Sequence, residues 1–260
     1  MELLKRDGLV LHYKWIDYKK PLTFLFINSL GTDFRIWDEV VAQLKDYGNV
    51  LLFDKRGHGL SDVVEATNGL DDFADDAEAL LNKFNAGKFV VVGLSVGGMI
   101  AQILANRIPD RIAKLVLCDT RHIIGNGQIW NDRITAVRDK GLASISEGVM
   151  QRWFSEDFRK KESIKVTGYR NMLERCPPIG YIKTCEAIRD ADLTSIAKGI
   201  KLPTICIVGS EDKSTTPEEV KNLADLIAGA RYEVIQGSGH IPCIDNPEKL
   251  TSLIIDFVNK

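Results

Sequence analysis

The chain has no apolar run of transmembrane length, and its first residues, Met1-Glu2-Leu3-Leu4-Lys5-Arg6, carry no signal-peptide core. Neither export nor a membrane partner is expected. There is no block of basic residues: 34 Lys and Arg stand against 36 Asp and Glu, mixed along the chain, for a formal charge of −2. That balance argues against nucleic acid as a partner. The cysteines, at 118, 176, 185, 206 and 243, are odd in number and scattered, and they form no C-x-x-C pair. They read as free thiols of a reducing cytoplasm. No internal repeat or low-complexity segment occurs. A chain of 260 residues fits one α/β domain with an insertion, and buries enough surface to need neither disulfide nor structural metal.

What is present is a sharp turn in an apolar setting. Phe89-Val90-Val91-Val92 reads as a buried strand, and Met99 to Ala105 reads as a helix. Between them stands Gly93-Leu94-Ser95-Val96-Gly97, a serine with glycines at minus two and plus two. This is the pattern of a nucleophile elbow, in which a strained turn lifts the serine hydroxyl to the mouth of a sheet. The glycines are expected where a side chain would strike the neighbouring strand or helix. A helix N-terminus behind the serine offers free N–H groups to a developing oxyanion. A Gly-rich turn with an incidental serine would share the pentapeptide, so its context decides.

The context is an alternation of strands and helices. Asp7-Gly8 between two alternating runs predicts an opening antiparallel hairpin, with His12 as a strand surface residue. Strands are predicted at 22–27, 50–53, 114–118, 203–208 and 232–235. Helices are predicted at 35–44, 70–84, from Pro217, and at 247–258. This rhythm implies a doubly wound, mostly parallel sheet. From Arg121 to Ala191 it breaks into helical patterns without a good strand. The expected layout is therefore a core of 1–120 and 192–260, with 121–191 as a helical insertion.

A serine hydroxyl needs an adjacent base, and imidazole suits the task. His240 lies in a loop after the last predicted strand, and Asp212 in a loop after the strand before it. Sites in open parallel sheets form outside the carboxyl ends of the strands, so Ser95, Asp212 and His240 should meet there. Their chain order is that of α/β-hydrolases. Asp119 and Glu211 are alternative acids, and His58 and His122 competing bases; His58 reads as supporting structure beside the elbow. The oxyanion needs two amide donors. Val96 supplies one, and Leu30, in the loop Asn28-Ser29-Leu30-Gly31-Thr32, is the candidate for the other.

That loop, the elbow and Asp54-Lys55-Arg56-Gly57-His58-Gly59 resemble the α/β-hydrolase superfamily over essentially the whole chain. Gly93 to Met99, Val116 to Thr120, Trp130 to Arg133, Arg152-Trp153-Phe154 and Ala187 to Leu193 look more narrowly like 3-oxoadipate enol-lactonases. Asn28-Ser29 departs from the His-Gly of the wider superfamily without removing a catalytic group. The resemblance implies an eight-stranded α/β-hydrolase fold with a helical cap. It implies opening of an enol-lactone to 3-oxoadipate in aromatic-compound catabolism, with no metal or organic cofactor. The partner would be a small anionic lactone. Its carboxylate calls for a cation, with Arg133 the first candidate beside Trp130 and Trp153, and Arg138, Arg152 and Arg189 in competition. The same residues leave open another α/β-hydrolase (a carboxylesterase or carbon–carbon bond hydrolase) or a ligand receptor that kept a triad. The oligomeric state is not legible in them.

Overall fold

The computed structural model describes residues 1–66, 69–84 and 87–260. Eight strands form one sheet: β1 (Glu2–Arg6), β2 (Leu9–Ile16), β3 (Thr23–Ile27), β4 (Asn49–Phe53), β5 (Phe89–Leu94), β6 (Ile112–Cys118), β7 (Thr204–Gly209) and β8 (Arg231–Ile235), in the order β1-β2-β4-β3-β5-β6-β7-β8. Asp7 and Gly8 both take positive φ, 48° and 85°, so the two-residue turn has the twist that a tight hairpin needs. It pairs β1 and β2 antiparallel, β2 also runs antiparallel to β4, and every later pairing is parallel. The central strands β3, β4 and β5 are buried at every residue, which explains why they read as unbroken apolar runs rather than alternating ones.

The helices are α1 (Asp38–Val41), α2 (Leu70–Lys83), α3 (Val96–Arg107), α4 (Gly127–Lys140), α5 (Ala143–Trp153), α6 (Glu156–Lys161), α7 (Ser163–Glu174), α8 (Pro178–Arg189), α9 (Thr194–Gly199), α10 (Pro217–Leu226), α11 (Pro242–Asp245) and α12 (Pro247–Asn259). Helices α4 to α9 all lie between β6 and β7 in sequence. None of the described helices is long and apolar enough to cross a membrane.

Two expectations fail. The helix predicted over 35–44 is a 3-10 turn, Phe34–Trp37, followed by the single turn of α1. Asp33 caps its start, accepting from the Arg35 amide at 3.0 Å, and Asp54 accepts from the Phe34 amide at 3.0 Å. Bonds to the third residue back, Ile36 to Asp33, Gln43 to Val40 and Leu44 to Val41, stand at both ends in place of the α-helical ladder. His12 is not a surface residue. Its side chain is 13% exposed, and its Nδ1 lies 2.8 Å from Asp54 Oδ2. The partner is 42 residues away, so no local pattern reveals it.

Candidate active site

Strand β5 delivers Ser95 into the turn before α3 with φ 57° and ψ −119°. A non-glycine residue in the left-handed region is strained, and it persists only where its surroundings enforce it. Here a Cβ on Gly93 would stand 2.3 Å from the Gly97 carbonyl oxygen, and one on Gly97 would stand 2.1 Å from that of Ile27. The glycines therefore occupy the positions where the chain passes too close for any side chain. The Ser95 N–H donates to the Cys118 carbonyl at 2.9 Å, and Thr120 Oγ1 donates to the Ser95 carbonyl at 2.6 Å.

The loop after β7 brings Asp212, and the loop after β8 brings His240. Asp212 Oδ2 lies 2.8 Å from His240 Nδ1, with both side chains almost fully buried. The same carboxylate accepts from the amides of Ser214 and Thr215 at 2.7 and 3.1 Å, and from Thr215 Oγ1 at 2.7 Å. A carboxylate receiving that many donors is held in one orientation. The His240 loop has its own anchors. Asp245, in α11, accepts from the Gly239 amide at 2.6 Å and from Ser238 Oγ. Burial raises the Asp245 carboxyl to about 6. On the other side, the amides of His240 and Ile241 both donate to the Trp153 carbonyl, at 2.8 and 3.3 Å. A Cβ on Gly239 would stand 2.5 Å from that same oxygen, which is why glycine precedes the histidine.

The loop after β3, residues 28–32, is fixed by side chains around it. Gly31 N–H donates to His58 Nε2 at 3.0 Å, so the proton of that ring sits on Nδ1, 3.2 Å from the Arg56 carbonyl. Burial, and then the neighbouring Lys55, hold His58 well below the usual imidazole range, so it stays neutral. Lys55 Nζ and Thr32 Oγ1 both donate to the Ser29 carbonyl, at 2.8 and 2.9 Å. Lys55 is entirely buried, and desolvation lowers its ammonium to about 7. His58 thus supports the loop, while His122 is absent from the residues that line the candidate cavity.

Ser29, Leu30, Ser95 and His240 line the sheet side of a cavity of about 240 Å³. Its other walls carry Trp130 and Arg133 from α4, Arg152 and Trp153 from α5, and Lys213. Trp130 and Trp153 are each 5% exposed. Trp130 Nε1 donates to the Ile124 carbonyl at 2.6 Å, and the Arg133 guanidinium lies 4.9 Å from the Trp130 ring centroid. Among the described residues, neither Arg133 nor Arg152 is paired with a carboxylate. Burial and then Arg133 lower the Arg152 guanidinium below its usual range. Of the other arginines weighed from the sequence, Arg189 is turned away onto Asp190 and Asn131, and Arg138 is exposed outside the cavity. A larger cavity of about 470 Å³ lies on the far side of the 28–32 loop, against His12, Asp54 and His58. It contains neither Ser95 nor His240, so the smaller cavity is the candidate site.

The α/β hydrolase fold family model matches residues 23–247. The chain belongs to the α/β-hydrolase family. It is 34% identical to 3-oxoadipate enol-lactonase 1 of Acinetobacter baylyi over 98% of this chain and 96% of that relative. The crystal structure of the enol-lactonase from Burkholderia xenovorans, 32% identical, superposes with a TM-score of 0.94 over the whole of both chains. A thermophilic esterase from Thermogutta terrifontis with malate bound, 27% identical, superposes with a TM-score of 0.92 over all of this chain and 98% of that one. The likeness to enol-lactonases read from Gly93 to Met99 and from the 121–191 segments therefore holds along the full hydrolase chain.

Sequence reasoning ranked Arg152 behind Arg133 and missed Lys213 and Asp245. The signal for Arg152 was its neighbour Trp153, which was already singled out. For Asp245, five residues beyond His240, there was no signal, because it accepts from the Gly239 backbone N–H, which any residue could supply, and from the Ser238 hydroxyl seven residues away.

Proposed function

We propose that this hydrolase opens the ring of a small anionic enol-lactone, 3-oxoadipate enol-lactone, to give 3-oxoadipate, with Ser95, His240 and Asp212 as its triad. The helices between β6 and β7 act as the cap that selects the substrate. The observation that carries the reading is the pair of guanidiniums, Arg133 and Arg152, facing the same cavity as Ser95 and His240 without a carboxylate of their own. Burial and the neighbouring Arg133 both disfavour the Arg152 charge, and an anionic ligand relieves that cost. Relatives named as 3-oxoadipate enol-lactonases and a structural neighbour with malate bound support a carboxylate-bearing substrate.

In this reading Asp212 holds the proton on His240 Nδ1, which leaves Nε2 to take the proton of Ser95 Oγ as it attacks the lactone carbonyl. The amides of Leu30 and Val96 receive the oxyanion. Gly31 N–H already serves His58, and Leu30 lines the cavity, so Leu30 is the donor taken from that loop. Collapse of the tetrahedral intermediate breaks the ring C–O bond. The enol oxygen takes the proton from His240 and tautomerises to the ketone. Water, deprotonated by His240, then attacks the acyl-enzyme, and Ser95 leaves with its proton restored. Each step uses groups of the protein and water, with no metal or organic cofactor. The remote carboxylate stays between Arg133 and Arg152 throughout, and Trp130 and Trp153 wall the ring.

The test is turnover of the enol-lactone, followed by loss of its ultraviolet absorbance, beside a neutral ester such as p-nitrophenyl acetate. A kcat/KM for the lactone far above that for the ester supports the reading. Cleavage of the neutral ester alone leaves a hydrolase with another substrate. If folded protein binds the lactone without cleaving either compound, a receptor role replaces the enzymatic one.

A further inference from the structure

The carboxyl end of β6 holds an acid that the scheme above leaves idle. Asp119 is completely buried and takes a φ of 45°, a strained value that aims its side chain toward β7. Its N–H donates to the Ile207 carbonyl at 2.8 Å, and its Oδ1 accepts from the Gly209 amide at 2.9 Å. Its Oδ2 is buried with no acceptor-type bond to satisfy it. A carboxyl oxygen of Asp119, one of Asp212 and a ring nitrogen of His240 all lie within 4.8 Å of one another.

Two carboxyls that close, in a site shielded from water, do not both ionise. The donors decide which one keeps the proton. Asp212 receives two amides, the Thr215 hydroxyl and the His240 ring, whereas Asp119 receives one amide. Of the other titratable groups around Asp119, the His240 ring is engaged by Asp212, and the rest do not favour its charge. Asp245 is acidic, and burial pushes the Cys118 and Cys243 thiols up, keeping them neutral. Burial, and then the charge of Asp212, hold the Asp119 carboxyl well above the ordinary range.

We propose that Asp119 is a neutral carboxylic acid whose Oδ2–H donates to the carboxylate of Asp212, making it a positioning residue for the acid of the triad. The proposal rests on the triad reading above. It also gives the orphaned Oδ2 a partner, and it explains how two acids share one buried cluster.

Infrared spectroscopy of protein carrying isotope-labelled aspartate tests it without reference to activity. At about pH 8, well above the value of about 6 for Asp245, the native protein should show the C=O stretch of a protonated aspartate, and Asp119→Asn should lose it. No such band in the native protein, or a band that survives in Asp119→Asn, overturns the proposal. Should Asp119→Asn fail to fold, Asp212→Asn replaces it: the band moves to higher frequency as its acceptor weakens from carboxylate to amide, or is lost as the charge that opposes ionisation of Asp119 goes, and an unmoved band overturns the proposal. In kinetics, Asp119→Ala should lose about tenfold or more in kcat with KM little changed, and Asp119→Asn should recover most of it. The acid limb of the Asp119→Asn profile should lie where the native one does; a limb lowered by about one pH unit would mean that a charge had been removed, and that Asp119 was ionised. If no substrate is turned over, the function proposed above fails, while the infrared bands still locate the proton.

Discussion

The two sides of the cavity are built on opposite terms. On the sheet side the groups that hold Asp212, His240 and the 28–32 loop have partners. Asp212 is filled with donors, His240 is held through its ring and its amide, and the 28–32 loop is tied by Thr32, Lys55 and His58. On the helical side, two guanidiniums face inward with no counter-charge among the described residues, and one of them only stacks on Trp130. The contrast divides the labour. A satisfied network is rigid and serves one chemistry, while an unsatisfied one is completed by what it binds. In the proposed reading, substrate choice therefore belongs to α4 and α5, and bond-breaking to the strand ends.

The largest test of that division is Ser95→Ala. It should lower kcat by about 10⁶ on lactone and neutral ester alike, while a tritrated or isotopically labelled product still binds with native affinity in equilibrium dialysis. Loss on only one substrate would mean that the two sides do not share a common chemistry. Next is Asp212→Asn, expected to cost about 10⁴ in kcat with the fold intact by circular dichroism, because the amide presents the wrong tautomer to His240.

The helical side should respond selectively. Arg133→Ala and Arg152→Ala are each expected to lower kcat/KM on the lactone by about 10- to 100-fold, the range of one charge-assisted bond, and to leave the neutral ester within about twofold. The double variant should lose less than the product of the two single losses, since both cations would grip one carboxylate. Equal losses on both substrates would assign the arginines to holding the structure instead.

The remaining test concerns stability rather than rate. Lys55 is lowered from 10.5 to about 7 by burial. A depressed value means that the unfolded chain binds the proton more tightly. The stability that the neutral amine allows is present above 10.5 and lost as pH falls toward 7. Lys55→Met removes this dependence. Its stability relative to the native protein, read from urea denaturation, should rise as the pH is lowered from 10.5 to about 7 and then level off. A constant difference across that range would mean that Lys55 is charged throughout. The variant also loses the bond to Ser29, so only the slope carries the argument.

The strand end was the part most legible in the sequence. Gly93, Ser95 and Gly97 are spaced by the geometry of one turn, and the buried strands announce themselves as apolar runs. Their chemistry follows from local pattern plus the rule that sites form at the carboxyl edge of a parallel sheet. The helix predicted over 35–44 tightens into turns closed by bonds to the third residue back, Ile36 to Asp33 and Gln43 to Val40, a difference in winding that residue periodicity does not register. His12 was misplaced because its partner, Asp54, comes from another strand end. The cavity arginines fell between these cases. A guanidinium on an amphipathic helix looks the same in sequence whether it points to solvent or inward, and only the packing of α4 and α5 over Ser95 separates Arg133 and Arg152 from Arg138 and Arg189.

The carbonyl of Trp153 links the two sides. It belongs to the end of the helix that carries Arg152, and it takes the amides of His240 and Ile241. The helices over the cavity and the loop of His240 thus meet at one oxygen atom. In the proposed reading, a cap that opened by lifting at residue 153 would pull the base out of line with every molecule admitted, so that corner serves as a fixed pivot and the entrance forms away from it.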